Sequence, residues 1–195
     1  MKVVLASRNP GKLRELRELL APLGLEVVSQ GELRIEAAPE TGQTFIENAL
    51  EKARHVCRES HLPAIADDSG IVVDALDGAP GILSARYAGV GATDADNNHK
   101  LVTALAHSAN TRAHFYCAVV YLRQPSDPAP LVGTARWNGR IVKDPRGDGG
   151  FGYDAHFYIE ELDRTAAQLT PTEKARVSHR GRAVRSLCKQ LEQLR

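Results

Sequence analysis

The sequence predicts an α/β fold with strand hairpins mixed in and a C-terminal helix. Short apolar runs of strand length alternate along the chain with segments whose apolar residues recur at helical spacing. Helix-start signals head those segments: Asn9-Pro10, Thr44-x-x-Glu47 and Thr170-Pro171-Thr172-Glu173. No internal repeat or low-complexity tract breaks the alternation.

In chain order, residues 3–6 form an apolar run suited to a buried strand, leading to the polar loop Ser7-Arg8-Asn9. Pro10-Gly11-Lys12 opens a helix, with Asn9 as N-cap and proline at the first helical position, where no N–H is needed. Leu13, Leu16, Leu20 and Leu23 give that segment one buried face. Residues 25–29 read as a short strand. The Thr44/Glu47 capping box starts a helix whose apolar face is Ile46, Ala49, Leu50, Ala53, Val56 and Cys57. Residues 64–66 and 71–73 are apolar pieces flanking Asp67-Asp68-Ser69-Gly70, whose glycine permits a tight turn. Residues 76–87, rich in Gly and Pro, are expected as a loop.

Thr93 or Asp94 caps a helix carrying Leu101, Val102 and Leu105. Residues 114–122 are apolar on both faces, as in a central strand covered on both sides. Pro125, Pro128 and Pro130 then interrupt regular structure, and Asn138-Gly139 signals a two-residue hairpin. The turn-rich residues 144–152 lead into an apolar run at 155–159. A short helix is expected from Thr170. Ser178 then caps a last helix with the face Val184, Leu187, Cys188, Leu191 and Leu194.

A chain of 195 residues fits one domain, or one domain with two lobes around a cleft. It can bury roughly 70% of its unfolded surface and needs no staples. With 25 basic and 24 acidic residues the net charge is +1, which gives no global electrostatic case for nucleic acid or a membrane surface. Phosphate binding would have to come from local clusters. Cys57, Cys117 and Cys188 are odd in number and widely spaced, as expected of reduced thiols in a cytoplasmic protein. The N-terminal residues lack the pattern of a signal peptide, and no apolar stretch approaches membrane-spanning length.

The candidate chemistry lies in separated segments. Ser7 to Lys12 joins polar donors to a helix N-terminus, where free N–H groups and partial positive charge favour phosphate and Lys12 adds a full charge. The same residues also read as an ordinary capped strand–helix turn. Asp67 and Asp68 close an apolar run and, as hard oxygen donors, suit Mg²⁺; aspartates also cap turns. Glu40 is a further candidate ligand or a surface charge. Asn48 and Lys52, four apart, form a stripe off the apolar face that is either directed at phosphates or solvated. Lys174 and His179-Arg180-Gly181-Arg182 form a basic cluster near a helix end. Gly147 to Gly152 satisfies G-x-G-x-x-G but leads into a strand, which fails the dinucleotide-binding test. Asp94-x-Asp96-x-Asn98 begins like a calcium loop, yet His99 occupies the glycine position.

VVLASRNPGK, ETGQTFIENALEKA, PAIADDSGIVVDALDGAPGILSARYAG, GGFGYD and the spacing from Glu173-Lys174 to Ser178-His179-Arg180, in this order, resemble the inosine triphosphate pyrophosphatase (Ham1-like, dITP/XTP pyrophosphatase) family over nearly the whole chain. The resemblance implies a single domain over residues 1–195, an elongated mixed β-sheet flanked by helices with two lobes around a nucleotide-binding cleft, and a homodimer. It implies Mg²⁺-assisted hydrolysis of ITP, dITP and XTP to monophosphate and pyrophosphate. Carried over by position, Ser7, Arg8, Asn9, Pro10, Gly11 and Lys12 would cradle the triphosphate. Glu40 and Asp68 would hold the metal, Asp68 would serve as base for the attacking water, and Lys52 would stand at the phosphates. Ser69 would touch the nucleotide and Phe151 would stack on the base. Gly152, Tyr153 and Asp154 would complete the pocket, with Lys174, His179 and Arg180 along the base end. The alternatives are a pyrophosphatase for another modified nucleotide and a non-catalytic nucleotide-binding regulator. Only catalysis requires Asp68.

Overall fold

The structure, a computed structural model, describes residues 2–193. Its strands are β1 (Lys2–Leu5), β2 (Glu26–Ser29), β3 (Ala64–Val73), β4 (Arg112–Leu122), β5 (Leu131–Ile141), β6 (Phe157–Ile159) and β7 (Arg164–Thr165). They form one open seven-stranded sheet in the spatial order 2-1-3-4-5-6-7. β1 pairs in parallel with β2 and β3, whereas β6 runs antiparallel to β5 and β7, so the sheet is mixed. The helices among the described residues are α1 (Pro10–Leu20), α2 (Phe45–Ser60), α3 (Asp94–Ala104), α4 (Pro171–Val177) and α5 (His179–Glu192). The α/β class and flanked mixed sheet expected from the sequence are what is found.

The chain divides into two compact units, with boundaries after Asp68, Tyr116, Ala135 and His179. The first unit contains the segment up to Asp68, Cys117–Ala135 and the segment from Arg180 onward. Its core joins Val3 and Leu5 of β1, Leu16 and Leu20 of α1, Ile65, Val119, and Ala183, Val184, Leu187 and Leu191 of α5. Truncating a leucine as completely buried as Leu16 or Leu20 to alanine costs about 2–5 kcal/mol. α1 starts as its sequence dictates: Asn9 caps it by accepting from the Lys12 N–H at 3.0 Å, and Pro10 opens the first turn. Gly133 lets α5 approach β5, because a Cβ there would collide with the Ala183 carbonyl oxygen.

The second unit contains Ser69–Tyr116 and Arg136–His179. Its core collects Ile71, Val73, Leu101, Phe115, Trp137, Tyr153, Phe157 and Ile159. Phe115 and Phe157 meet in a tilted pair, with centroids 4.6 Å apart at 58°. Thr93 caps α3 in a reciprocal box with Asp96, and Thr170 caps α4 in one with Glu173.

Four expectations change. Asn138-Gly139 makes no hairpin turn: β5 runs straight through it, and neither residue has the positive φ that a type I′ turn needs. Gly139 instead makes room for β6, since a Cβ there would collide with the Tyr158 carbonyl oxygen and lie 2.8 Å from the Phe157 ring. Asp67 to Gly70 is not a turn but the middle of the continuous strand β3. Residues 76–87 include a 3-10 stretch, Gly81–Arg86, rather than loop alone. On α2, Ile46 is exposed while Asn48 is completely buried. The expected Leu194 contact lies outside the described residues.

Candidate active site

Because β3 is a strand where Asp67 and Asp68 occur, the two carboxylates leave the backbone on opposite faces. A turn could have aimed both at one point; the pleat separates them into two charge networks. Both networks belong to the first unit.

Asp67 faces α1 and α5. Its Oδ2 lies 3.3 Å from Lys12 Nζ and 3.3 Å from Arg180 Nε, and its side chain has no solvent exposure. Arg180 is equally enclosed and turns its Nη1 to Glu15 at 2.5 Å. Burial alone would raise the Asp67 carboxyl; Lys12, then Arg180 and Lys52, outweigh it and hold the group well below the usual carboxylate range. Asp67 and Glu15 likewise keep the Arg180 guanidinium protonated against its burial. Asp67 is thus a fixed anion that anchors the first turn of α1 to the start of α5.

Asp68 faces α2. Its Oδ1 accepts from Lys52 Nζ at 2.8 Å, and Asn48 Nδ2 lies 3.4 Å from its Oδ2. The same Lys52 ammonium reaches Glu40 at 3.1 Å. Burial is the largest influence on Asp68 and raises its carboxyl above the ordinary value; Lys52 and Lys12 offset this in part, and Glu40 adds to it. Lys52 has the opposite balance. Burial works against its charge, but Asp68, Asp67 and Glu40 together raise its pKa. The centre is therefore a charged lysine among three carboxylates, one of which, Asp68, has its carboxyl raised by burial.

The loop bearing Glu40 is stapled to α2. Thr41 donates its N–H and hydroxyl to Glu51, the Gly42 N–H donates to Asn48 Oδ1 at 2.9 Å, and the Gln43 N–H donates to Glu47 at 2.8 Å. Gly42 has to be glycine, because a Cβ there would lie 2.6 Å from the Glu47 Cβ. Asn48 joins the loop to Asp68 through the two ends of its amide, so the stripe formed by Asn48 and Lys52 is turned inward onto Glu40 and Asp68 rather than solvated. Sequence reasoning missed Glu15 and Gly42. The three-residue step from Lys12 to Glu15 on one helix face was the available signal for the first.

The loop ahead of α1 is open, with Arg8, Asn9 and Pro10 exposed and Ser7 and Gly11 half-buried. Ser7 Oγ accepts from the Asn9 N–H at 3.3 Å. Arg8 turns back to the Ile35 carbonyl at 3.0 Å and Glu36 at 2.9 Å.

The remaining predicted residues, except Arg180, lie in the second unit. Ser69 follows Asp68 in β3 and is half-buried. Asp154 Oδ2 accepts from the Phe151 N–H at 2.9 Å and from Lys174 Nζ at 2.6 Å. Lys174 Nζ also stands 4.8 Å from the Phe151 ring centroid. Gly150, with φ +75°, wraps this carboxylate so closely that a Cβ would collide with its Oδ2. Gly152 also has a positive φ, 61°. Phe151, Asp154 and Lys174 are therefore brought together. Tyr153 faces the core and gives its hydroxyl to the Ser84 carbonyl at 2.8 Å, away from that group. His179 is buried, stacked on Phe115 at 4.6 Å and 10°. Arg180, expected along the base end, has its guanidinium in the first unit at Asp67 and Glu15.

Fold and site define an α/β protein with a buried acid–lysine centre next to an open helix N-terminus. A profile of the Ham1 family matches residues 3–190. The dITP/XTP pyrophosphatase of Nitrosomonas europaea is 52% identical over 192 residues, 98% of this chain and 95% of that protein. That of Yersinia pestis is 56% identical over 186 residues, 94% of each. The structure of a HAM1 protein from Coxiella burnetii matches with a TM-score of 0.92 at 45% identity, covering 99% of both chains. This chain belongs to the Ham1 family.

Proposed function

We propose that the protein hydrolyses the non-standard purine nucleoside triphosphates ITP, dITP and XTP to the monophosphate and pyrophosphate. The observation that carries this reading is the division of labour across β3: Asp67 is neutralised by fixed cations, while Asp68 is buried, raised and next to Lys52. Similarity to proteins named dITP/XTP pyrophosphatases supplies the substrate class.

In this reading Ser7 to Lys12 cradle the triphosphate, with the α1 N-terminus and Lys12 facing its charge. Asp68 accepts the proton of the attacking water, a task its raised carboxyl favours. Lys52 stabilises the charge that grows on the leaving pyrophosphate. Glu40 and Asp68 would hold Mg²⁺. The donor set fits, since both present hard oxygens to a single point already marked by the Lys52 ammonium, at 3.1 and 2.8 Å. Among the described residues no three Asp, Glu, His or Cys side chains form a cage, and Mg²⁺ needs none, as it keeps waters and phosphate oxygens in its shell. When bound, Mg²⁺ would neutralise phosphate charge and lower the pKa of water.

Phe151 would stack on the base beside Asp154 and Lys174. Inosine and xanthine carry a carbonyl at position six where adenine has an amino group; a backbone N–H aimed there rejects adenine by setting two donors against each other. The same reading makes the enzyme a cytoplasmic homodimer. No helix among the described residues is long and apolar enough to cross a membrane.

The test is Mg²⁺-dependent turnover of ITP, XTP, GTP and ATP with products resolved. Monophosphate and pyrophosphate from ITP and XTP, with ATP and GTP nearly untouched, is the expected result. Orthophosphate release, or equal rates on all four, would overturn it. Asp68→Asn should lose about 10²–10⁴-fold in kcat while still binding nucleotide; retained turnover would overturn Asp68 as the proton acceptor.

A further inference from the structure

We propose that Asp94 and Asn98 are positioning residues that hold the Phe151–Asp154 loop and thereby set how strictly the enzyme selects its purine base. This rests on the proposed role of Phe151 in stacking on the base.

The contacts converge on one residue from both sides. Asp94 Oδ2 accepts from the Gly152 N–H at 2.7 Å, and Asn98 Nδ2 donates to the Gly152 carbonyl at 2.8 Å. Asn98 Nδ2 also donates to the Asp94 carbonyl at 2.8 Å, which ties the two clamp residues together. Both backbone polar groups of Gly152 are therefore held by α3, more than fifty positions away in sequence. Phe151 lies between this clamp and the Asp154 carboxylate, which accepts its N–H. The clamp stands on a capped helix start: the Thr93/Asp96 box closes the first turn of α3, and Asp94 and Asn98 lie one turn apart on the same face. Asp94 is exposed, and the helix is anchored in the core by Leu101, so packing does not explain the aspartate.

Polarity distinguishes positioning from simple packing. Asn98 spends its amide hydrogens on two carbonyls, so Asn98→Asp keeps the shape and sets a carboxylate against both. Asp94→Asn can still accept from the Gly152 N–H through its amide oxygen, so it should be mild.

The experiment measures kcat and KM for ITP and GTP in wild type, Asn98→Asp, Asn98→Ala, Asp94→Ala and Asp94→Asn, with melting temperature alongside. Asn98→Asp should raise KM for ITP at least about tenfold, leave kcat within about threefold, and narrow the ITP-over-GTP preference at least about fivefold, because a loosened loop weakens base binding and carries none of the groups assigned to the reacting phosphates. Asn98→Ala and Asp94→Ala should shift the same quantities less, and they carry the test if Asn98→Asp does not fold. Asp94→Asn should restore most of what Asp94→Ala loses. Wild-type KM and base preference in Asn98→Asp and Asp94→Ala would overturn the proposal, as would a loss confined to kcat. A wild type that releases no pyrophosphate from ITP would overturn the functional reading itself, and this proposal with it.

Discussion

Asparagine in place of Asp67 and in place of Asp68 is nearly isosteric, and the two changes should have opposite consequences. Asp67→Asn leaves Lys12 and Arg180 facing an uncharged amide in a place with no solvent access. Removing one partner of a buried pair costs about 3–5 kcal/mol. Arg180 keeps Glu15, so the lower end, about 3 kcal/mol, is expected. For a chain of this length that corresponds to a fall in Tm of about 6–12 °C. Asp68→Asn removes a carboxyl that burial already disfavours as an anion, and Lys52 retains Glu40. Its stability should stay within about 1 kcal/mol of wild type, while turnover collapses. Urea unfolding of both variants at neutral pH, with ITP turnover measured on the same preparations, reads both effects. Equal destabilisation by the two changes, or an Asp67→Asn protein as stable as wild type, would refute the separation of roles across β3.

Gly139→Ala places a methyl against the Tyr158 carbonyl and the Phe157 ring, and should destabilise by about 1–3 kcal/mol, read as a lower urea midpoint at unchanged slope. Arg123 and two backbone N–H groups hold the Asp127 carboxyl far below its usual range, with Arg123 the main cause. A depressed carboxylate stabilises the fold above its unfolded pKa, and that stability drains away as pH falls from about 4 toward the folded value. Asp127→Asn should therefore melt below wild type at pH 7, and the gap should close as pH drops below about 4. A gap that stayed constant to about pH 2 would show that the charge is not what matters.

The parts of this fold written in local sequence were legible there. Asn9 with Pro10, Thr44 with Glu47, and Thr170 with Glu173 each carry their partner within three residues, and each caps the helix expected of it. What failed was decided at long range. Asn138-Gly139 has the composition of a turn, but the glycine answers to the backbone of β6 about twenty residues on. Asp67 and Asp68 looked like one site because sequence does not show that β3 continues through them, and Arg180, which fixes the role of Asp67, lies 113 positions away. Asn48 was ambiguous for the same reason: its burial is created by Gly42 and Asp68 closing over opposite ends of one amide. Phe151, Asp154 and Lys174 stand in motif-bearing segments, whereas Asp94 and Asn98 stand only in a fragment that begins like a calcium loop, and nothing local shows that they meet Gly152.

The core shared by β1, α1 and α5 also orders events during synthesis. Leu16 and Leu20 leave the ribosome early, and Ala183, Val184, Leu187 and Leu191, which cover them, are made last. At about 5–20 residues per second this leaves the opening strand and helix waiting roughly 8–35 s without their lid, exposing apolar surface that a chaperone can hold. The second unit has no such delay, because all its segments precede Arg180. A chain that ends at His179 and has left the ribosome should therefore carry a protease-resistant second unit joined to a first unit that still digests.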